Sequence, residues 1–220
     1  MPRPGTESGA RITKLLIVRH GVTEWNREGL AQGMADIDLD EEGRRQAHAV
    51  ASSLASFDID AVFSSDLSRA VHTAEPIAQR HGLEVVQDPD FREVDQGEWT
   101  GLTTHEIRRR WPDLWGPARH YSARPGGESP QQVRRRMLRG VAGVVRGHPG
   151  QTVVIVSHGA AIRWLSAEAL GYEDRRAARI RGLSNAGVVT MDGRLEDGRL
   201  VLENLVRLDG GAPDLDDPNI

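Results

Sequence analysis

The chain has no cysteine, so disulfides, thiolate nucleophiles and cysteine-ligated zinc are excluded from the start. It is almost as poor in lysine: Lys14 stands alone beside many arginines, a usage that suits a GC-rich bacterial genome. No apolar run approaches the length of a membrane span, and the opening stretch MPRPGTESGARITK lacks the apolar segment of a secretion signal. A cytoplasmic protein is expected. No sign of charge dominates, since a formal net charge of -4 gives no global attraction to nucleic acid or anionic lipid. Any anion must therefore be held by a local cluster. The G-K-[ST] loop, the G-x-G-x-x-G turn and the H-E-x-x-H zinc helix are absent too, and Gly127-Glu128-Ser129-Pro130-Gln131 lacks the final glycine of a serine-hydrolase elbow.

What is present suits one α/β domain: 220 residues, 38% hydrophobic and 27% charged, with a mean hydropathy of -0.47. Residues 1–11 and 209–220 are rich in Pro, Gly and acidic residues without apolar period, and read as flexible tails around a single domain at 12–208. Within it, short apolar runs alternate with helix-period segments, the pattern of a three-layer αβα fold with a mostly parallel central sheet. Leu15 to Val18, Ala61 to Phe63 and Val153 to Val156 are the buried strands. Ala47, Val50, Ala51 and Leu54 mark one amphipathic helix, and Leu67, Ala70, Val71, Ala74, Ile77 and Ala78 a second that stops at His81-Gly82. A third should take Ser129 as N-cap, with Pro130 first in the helix and Gln132 reaching back, then bury Val133, Met137, Val141 and Val144. Val188 to Met191 and Leu200 to Leu208 read as closing strands, with a turn expected at Asp192-Gly193.

Residues 103–127 differ. A capping box at Thr103 and Glu106 leads into Trp111, Pro112, Trp115, Pro117, Tyr121 and Pro125 amid arginines, which reads as a lid-like insertion or as a loop pinned by its rings. The triplets Arg108 to Arg110 and Arg134 to Arg136 read as solvated helix faces. Asp36-Ile37-Asp38-Leu39-Asp40 lacks the glycine that a calcium loop needs and reads as a helix start.

In open α/β sheets, ligands bind beyond the carboxyl ends of the strands. The three buried strands are followed there by Arg19-His20-Gly21, by Ser64-Ser65-Asp66-Leu67-Ser68-Arg69 and by Ser157-His158-Gly159. Two histidines and two arginines should thus meet at one edge. Guanidinium forks match phosphate oxygens, and a glycine after each histidine would let the backbone come close to a ligand. Arg69 lies in the first turn of its helix, outside the apolar stripe, so it can face the strand ends.

These residues resemble the histidine phosphatase family, also called phosphoglycerate mutase-like, from about Lys14 to Asn185. Arg19-His20-Gly21 with Thr23 and Asn26 resembles its leading signature, and Ser64 to Ala70 with Thr73-Ala74 its second. Phe91-Arg92-Glu93 through Gly97, Trp99, Gly101 and Leu102 resembles the third block, Gly127-Glu128-Ser129 the fourth, and Ser157-His158-Gly159 the last. The resemblance implies a phosphomonoesterase with His20 as nucleophile, Glu93 as proton donor, and Arg19, Arg69 and His158 as phosphate cradle. Gly21, Thr23, Asn26, Gln32, Gly33 and Gly159 would assist in binding phosphate or substrate. Neither metal nor cofactor is implied. The implied partner is a small phosphate ester, a sugar phosphate or phosphoglycerate type, rather than nucleic acid or membrane, with a homodimer left open. Family mutases carry an arginine directly after the acid glutamate and a longer basic segment before the Gly-Glu block. Val94 stands at that position here, so hydrolysis is favoured over the mutase alternative.

Overall fold

Strand β1 (Thr13–Arg19) carries four consecutive apolar residues, Leu15 to Val18, each 0% exposed. A run of this kind suits a strand covered on both faces. Leu15 and Ile17 enter one core and Leu16 and Val18 the other, as the period of two demands. The computed structural model describes residues 11–115 and 122–208. Except for Arg11, the expected tails lie outside the described residues, as does the centre of the expected lid.

The chain continues through α1 (Glu24–Glu28), α2 (Glu41–Ser53), β2 (Ala61–Ser64), α3 (Ser68–His81) and β3 (Val85–Gln87). Two short helices, α4 (Thr104–Arg110) and α5 (Pro112–Trp115), precede α6 (Pro130–Gly147), β4 (Thr152–Ser157), α7 (Gly159–Ala169) and α8 (Asp174–Ala177). A hairpin of β5 (Val188–Glu196) and β6 (Arg199–Arg207) closes the sheet. The strand order is β3-β2-β4-β1-β5-β6, parallel from β3 to β1 and antiparallel beyond. Val50, Ala51 of α2 and Ala70, Ala74, Ile77 of α3 pack on one face; Val133, Met137, Val141 of α6 and Ile162, Leu165 of α7 pack on the other. The three-layer αβα architecture follows. Each large aliphatic side chain so buried stabilises the fold by roughly 1.5–3 kcal/mol before entropy is charged. Because β4 inserts between β2 and β1, the loops after β1, β2 and β4 lie side by side.

The 36–40 segment sets two of the helices. Asp40 is the N-cap of α2, its Oδ1 accepting from the Gly43 N–H at 2.7 Å. The N-cap of α3, Leu67, has no side chain to offer, and Asp36 substitutes from a distance, accepting from the Ser68 N–H at 2.7 Å and its hydroxyl at 2.8 Å. Between them Asp38 bridges Arg44 at 2.5 Å and His72 at 2.6 Å. Helix α6 begins on the expected capping box of Ser129 and Gln132.

Two expectations are corrected. The hairpin turns at Asp197-Gly198, where both φ values are positive, +48 and +77, as a two-residue turn with the twist of its strands requires. Asp192-Gly193 instead lies inside β5, pairing with β1 and β6, and a Cβ on Gly193 would sit 2.9 Å from Val145 of α6. The second correction is Arg136, which is no solvated face but 8% exposed. It pairs with Glu128 at 2.8 Å and donates to the carbonyls of Asp90, Arg92 and Glu93 at 2.9, 2.6 and 2.8 Å. Its neighbour Arg134 pairs with Glu168 at 2.5 Å.

Candidate active site

His20 leaves β1 only 3% exposed, with its ring centroid 5.0 Å from that of His158 at the end of β4. The His20 Nδ1 lies 2.6 Å from the Gly21 carbonyl oxygen, a group that can only accept. A neutral imidazole carries one proton, so this bond places it on Nδ1 and leaves a lone pair on Nε2. Burial first, then the positive charges of Arg69 and Arg19, hold His20 well below its usual pKa of 6.5. It is therefore a neutral base at physiological pH.

The two guanidiniums are anchored from behind. Arg69 is 0% exposed and donates to the carbonyls of Ala35 and Gly33, each at 2.7 Å, while Arg19 donates to the Leu183 carbonyl at 2.5 Å. Burial pulls Arg69 down to about 10, opposed by the carboxylates of Glu93 and Asp36, and it stays charged at neutral pH. Burial lowers Arg19 as well, again opposed by Glu93. The Nε atoms of both arginines and both ring nitrogens of His158 are buried without a hydrogen-bond partner among the described residues. Desolvated donors left in this way cost free energy unless an anion meets them. His158 is 0% exposed and is held neutral by burial and by Arg69.

Half-buried Glu93 approaches the same cluster from the loop after β3. Its Oε1 accepts from the Val94 and Ala161 N–H groups at 2.9 and 3.3 Å, and its Oε2 from the Ala160 N–H at 3.2 Å. The carboxylate thus rests on the first turn of α7, where backbone N–H groups favour negative charge. Arg136 fixes this stretch through the Glu93 carbonyl. A neutral imidazole base, two fixed cations, a second imidazole and a carboxyl group can together transfer a phosphoryl group by way of histidine.

The model of the histidine phosphatase superfamily, branch 1, matches residues 15–206. The chain belongs to this superfamily. It is 36% identical over 165 residues to phosphoserine phosphatase 1 of Hydrogenobacter thermophilus, covering 74% of this chain and 78% of that one. It is also 36% identical over 184 residues to the probable phosphoglycerate mutase of Cronobacter sakazakii, covering 82% of this chain and 85% of that one. The solved structure of a mycobacterial glucosyl-3-phosphoglycerate phosphatase with VO3 matches with a TM-score of 0.81 and 33% identity, covering 89% of this chain and 97% of that one.

In this histidine phosphatase the assisting residues take more structural parts than expected. Thr23 and Asn26 form the capping box of α1, the Asn26 Oδ1 accepting from the Thr23 N–H at 3.2 Å. Gly33 offers its carbonyl to Arg69, at a φ of +52, and the Gln32 Oε1 is buried without a partner among the described residues. Gly21 is required by packing: a Cβ there would lie 2.5 Å from the Gly43 carbonyl oxygen of α2. A Cβ on Gly159 would touch the Arg19 guanidinium at 3.4 Å, an ordinary contact. Sequence reasoning missed Asn185, whose amide reaches the His20 and Gly21 carbonyls at 3.1 and 3.2 Å, and Thr73, whose hydroxyl accepts from the Gly21 N–H at 3.0 Å. Thr73 stands in the second family block, and Asn185 only at the end of the resemblance.

Proposed function

We propose that the chain is a metal-independent phosphomonoesterase that hydrolyses a small phosphorylated metabolite through a phosphohistidine on His20. The observation that carries this reading is the one-sided imidazole, its Nδ1 bonded to the Gly21 carbonyl and its ring set among Arg19, Arg69 and His158. The Nε2 lone pair attacks phosphorus in line with the departing oxygen. Arg19, Arg69 and His158 meet the charge on the transferring oxygens, the task a metal performs in other phosphatases. Glu93 takes up the proton that a monoanionic phosphate ester brings with it, gives it to the leaving alkoxide, then takes one from the water that cleaves the phosphohistidine.

Phosphoserine and glucosyl-3-phosphoglycerate, named in two of the relatives, both join a phosphate ester to a carboxylate. We extend that class to this chain, with sugar phosphates as the second class. The 103–127 segment acts as a lid in this proposal: Ile107 and Trp99 pin its base to the domain, while Arg108 to Arg110 of α4 are exposed and offer positive charge to an acidic substrate. Mutase activity is the alternative, supported by the Cronobacter relative. Against it, the position after Glu93 is filled by Val94, which is 3% exposed in the core and offers no cation. The cytoplasmic, bacterial setting belongs to the same proposal; among the described residues no helix is long and apolar enough to cross a membrane.

The test is a hydrolysis screen of phosphorylated acids and sugars in excess chelator, with and without vanadate, beside a product assay for phosphoglycerate isomerisation. Activity in chelator, blocked by vanadate, is expected. Turnover lost in chelator and restored by magnesium or zinc would overturn the mechanism, and isomerised product would favour the mutase.

A further inference from the structure

The loop between α8 and β5 takes no part in the chemistry above, yet its polar groups converge on the short stretch that carries the nucleophile. The Leu183 carbonyl accepts from the Arg19 guanidinium at 2.5 Å and the Gly187 carbonyl from the Arg19 N–H at 3.0 Å. The Ala186 N–H donates to the carbonyls of Arg19 and His20 at 3.0 and 3.2 Å. The Asn185 Nδ2 donates to the carbonyls of His20 and Gly21 at 3.1 and 3.2 Å and to the Asn26 Oδ1 at 3.2 Å. An amide nitrogen has two protons, so here they are shared among three acceptors.

Ala186 stands at a φ of +55, in the left-handed region that a residue with a Cβ avoids. Strain of this kind persists where the surroundings over-determine it, and it gathers at functional sites. Relaxing Ala186 would swing its N–H and the Asn185 side chain off the His20 loop together.

The Gly21 carbonyl is the group that sets the tautomer of His20. Thr73 holds the N–H of Gly21 from one side, and Asn185 holds its carbonyl from the other. We propose that Asn185 is a positioning residue for the reaction: it keeps the Gly21 carbonyl where it accepts the Nδ1 proton, so that Nε2 is always the free nitrogen. Asn185 does not polarise this bond, since both donors compete for one oxygen; it fixes where the acceptor lies. The Ala186 and Leu183 contacts act in the same direction, aligning the Arg19 backbone and guanidinium with the imidazole. The catalytic meaning of this device rests on the reading of His20 as nucleophile.

The experiment uses the full chain labelled with ¹⁵N-histidine, with the His20 signals assigned by their loss in His20→Ala. Wild-type His20 should show a protonated Nδ1 and a bare Nε2. In Asn185→Ala, and in Asn185→Asp, which keeps the shape but turns an acceptor toward the carbonyl oxygens, both tautomers should appear. Phosphoenzyme formation should slow by about 10- to 100-fold, the usual consequence of a misplaced reacting group, with KM changed far less. If Asn185→Ala fails to fold, it is made together with Ala186→Gly, which keeps the N–H and removes the left-handed strain. A folded variant in which His20 keeps its proton wholly on Nδ1 overturns the proposal whatever its turnover. A phosphoenzyme that still forms in His20→Ala would overturn the proposed function instead and leave the tautomer result standing.

Discussion

The loop after β1 and the loop after β4 begin alike, each with a buried histidine and a glycine at the end of a doubly covered parallel strand, and end differently. In the first, His20 has a partner for Nδ1, its backbone is held by Ser157, Asn185 and Ala186, and the Gly21 N–H is held by Thr73. In the second, His158 is the N-cap of α7, and neither of its ring nitrogens has a partner among the described residues. One imidazole is held in a single tautomer, as the proposed role of nucleophile requires. The other is left to bond with whatever enters. Burial lowers the pKa of both, so desolvation alone does not distinguish their roles; hydrogen bonding does.

The comparison breaks most sharply at the histidines themselves. His20→Ala should abolish the acid-labile phosphoenzyme, because the chain offers no cysteine in its place. His158→Ala should still form it, more slowly by about 10²–10³, the usual cost of removing one donor to a charged transition state. Acid-quench labelling reads both, and complete loss in both variants would erase the distinction. Next in size is Glu93, which rests on the β4 side. Glu93→Gln should lower kcat/KM for an alkyl phosphate by a factor on the order of 10²–10⁴, while the nitrophenol burst from nitrophenyl phosphate suffers far less, since that leaving group needs no proton. An equal loss in both would take the role of acid away from Glu93.

The two glycines sharpen the comparison through stability. Gly21→Ala drives a Cβ to 2.5 Å from a backbone carbonyl and should cost about 1–3 kcal/mol or prevent folding. Gly159→Ala meets a guanidinium at 3.4 Å, an ordinary contact, and should cost less than about 1 kcal/mol in urea unfolding. A reversed order would mean that the β4 loop is the rigid one.

The last effect is with pH. Both histidines have folded pKa values below the usual 6.5, so below that pH the unfolded chain binds protons that the folded one refuses. Stability should be full above pH 6.5 and fall as the pH drops toward the folded values, with a slope of at most about 1.4 kcal/mol per pH unit for each histidine. Urea midpoints between pH 7.5 and 5.5 measure this, and His158→Asn should flatten the acid limb. A wild-type midpoint independent of pH over that range would mean that both rings take up protons in the folded state.

Most of the frame was legible in the chain because it is written in local periods. Four apolar residues in a row gave β1, the stripe from Leu67 to Ala78 with Gly82 gave α3, and Ser129-Pro130 with Gln132 gave the start of α6. The ends of the strands then placed His20 and His158 together. Glu93 was found only through the family blocks, since nothing in its spacing separates it from Glu84, Glu98 or Glu106.

What tertiary structure alone decided concerns polar groups whose partners lie far away in sequence. The turn expected at Asp192-Gly193 forms at Asp197-Gly198, because Gly193 is needed beneath α6. Arg136 lies in a triplet that reads as solvent-facing and is buried because the carbonyls of Asp90, Arg92 and Glu93 come within its reach. Asp36 caps α3 from 32 residues away, and Asn185 holds His20 from 165. A helix or strand repeats its apolar residues because its own backbone sets their spacing, so the sequence by itself determines them. A buried arginine or asparagine answers to carbonyls brought to it by other elements, and that encounter has no period to read.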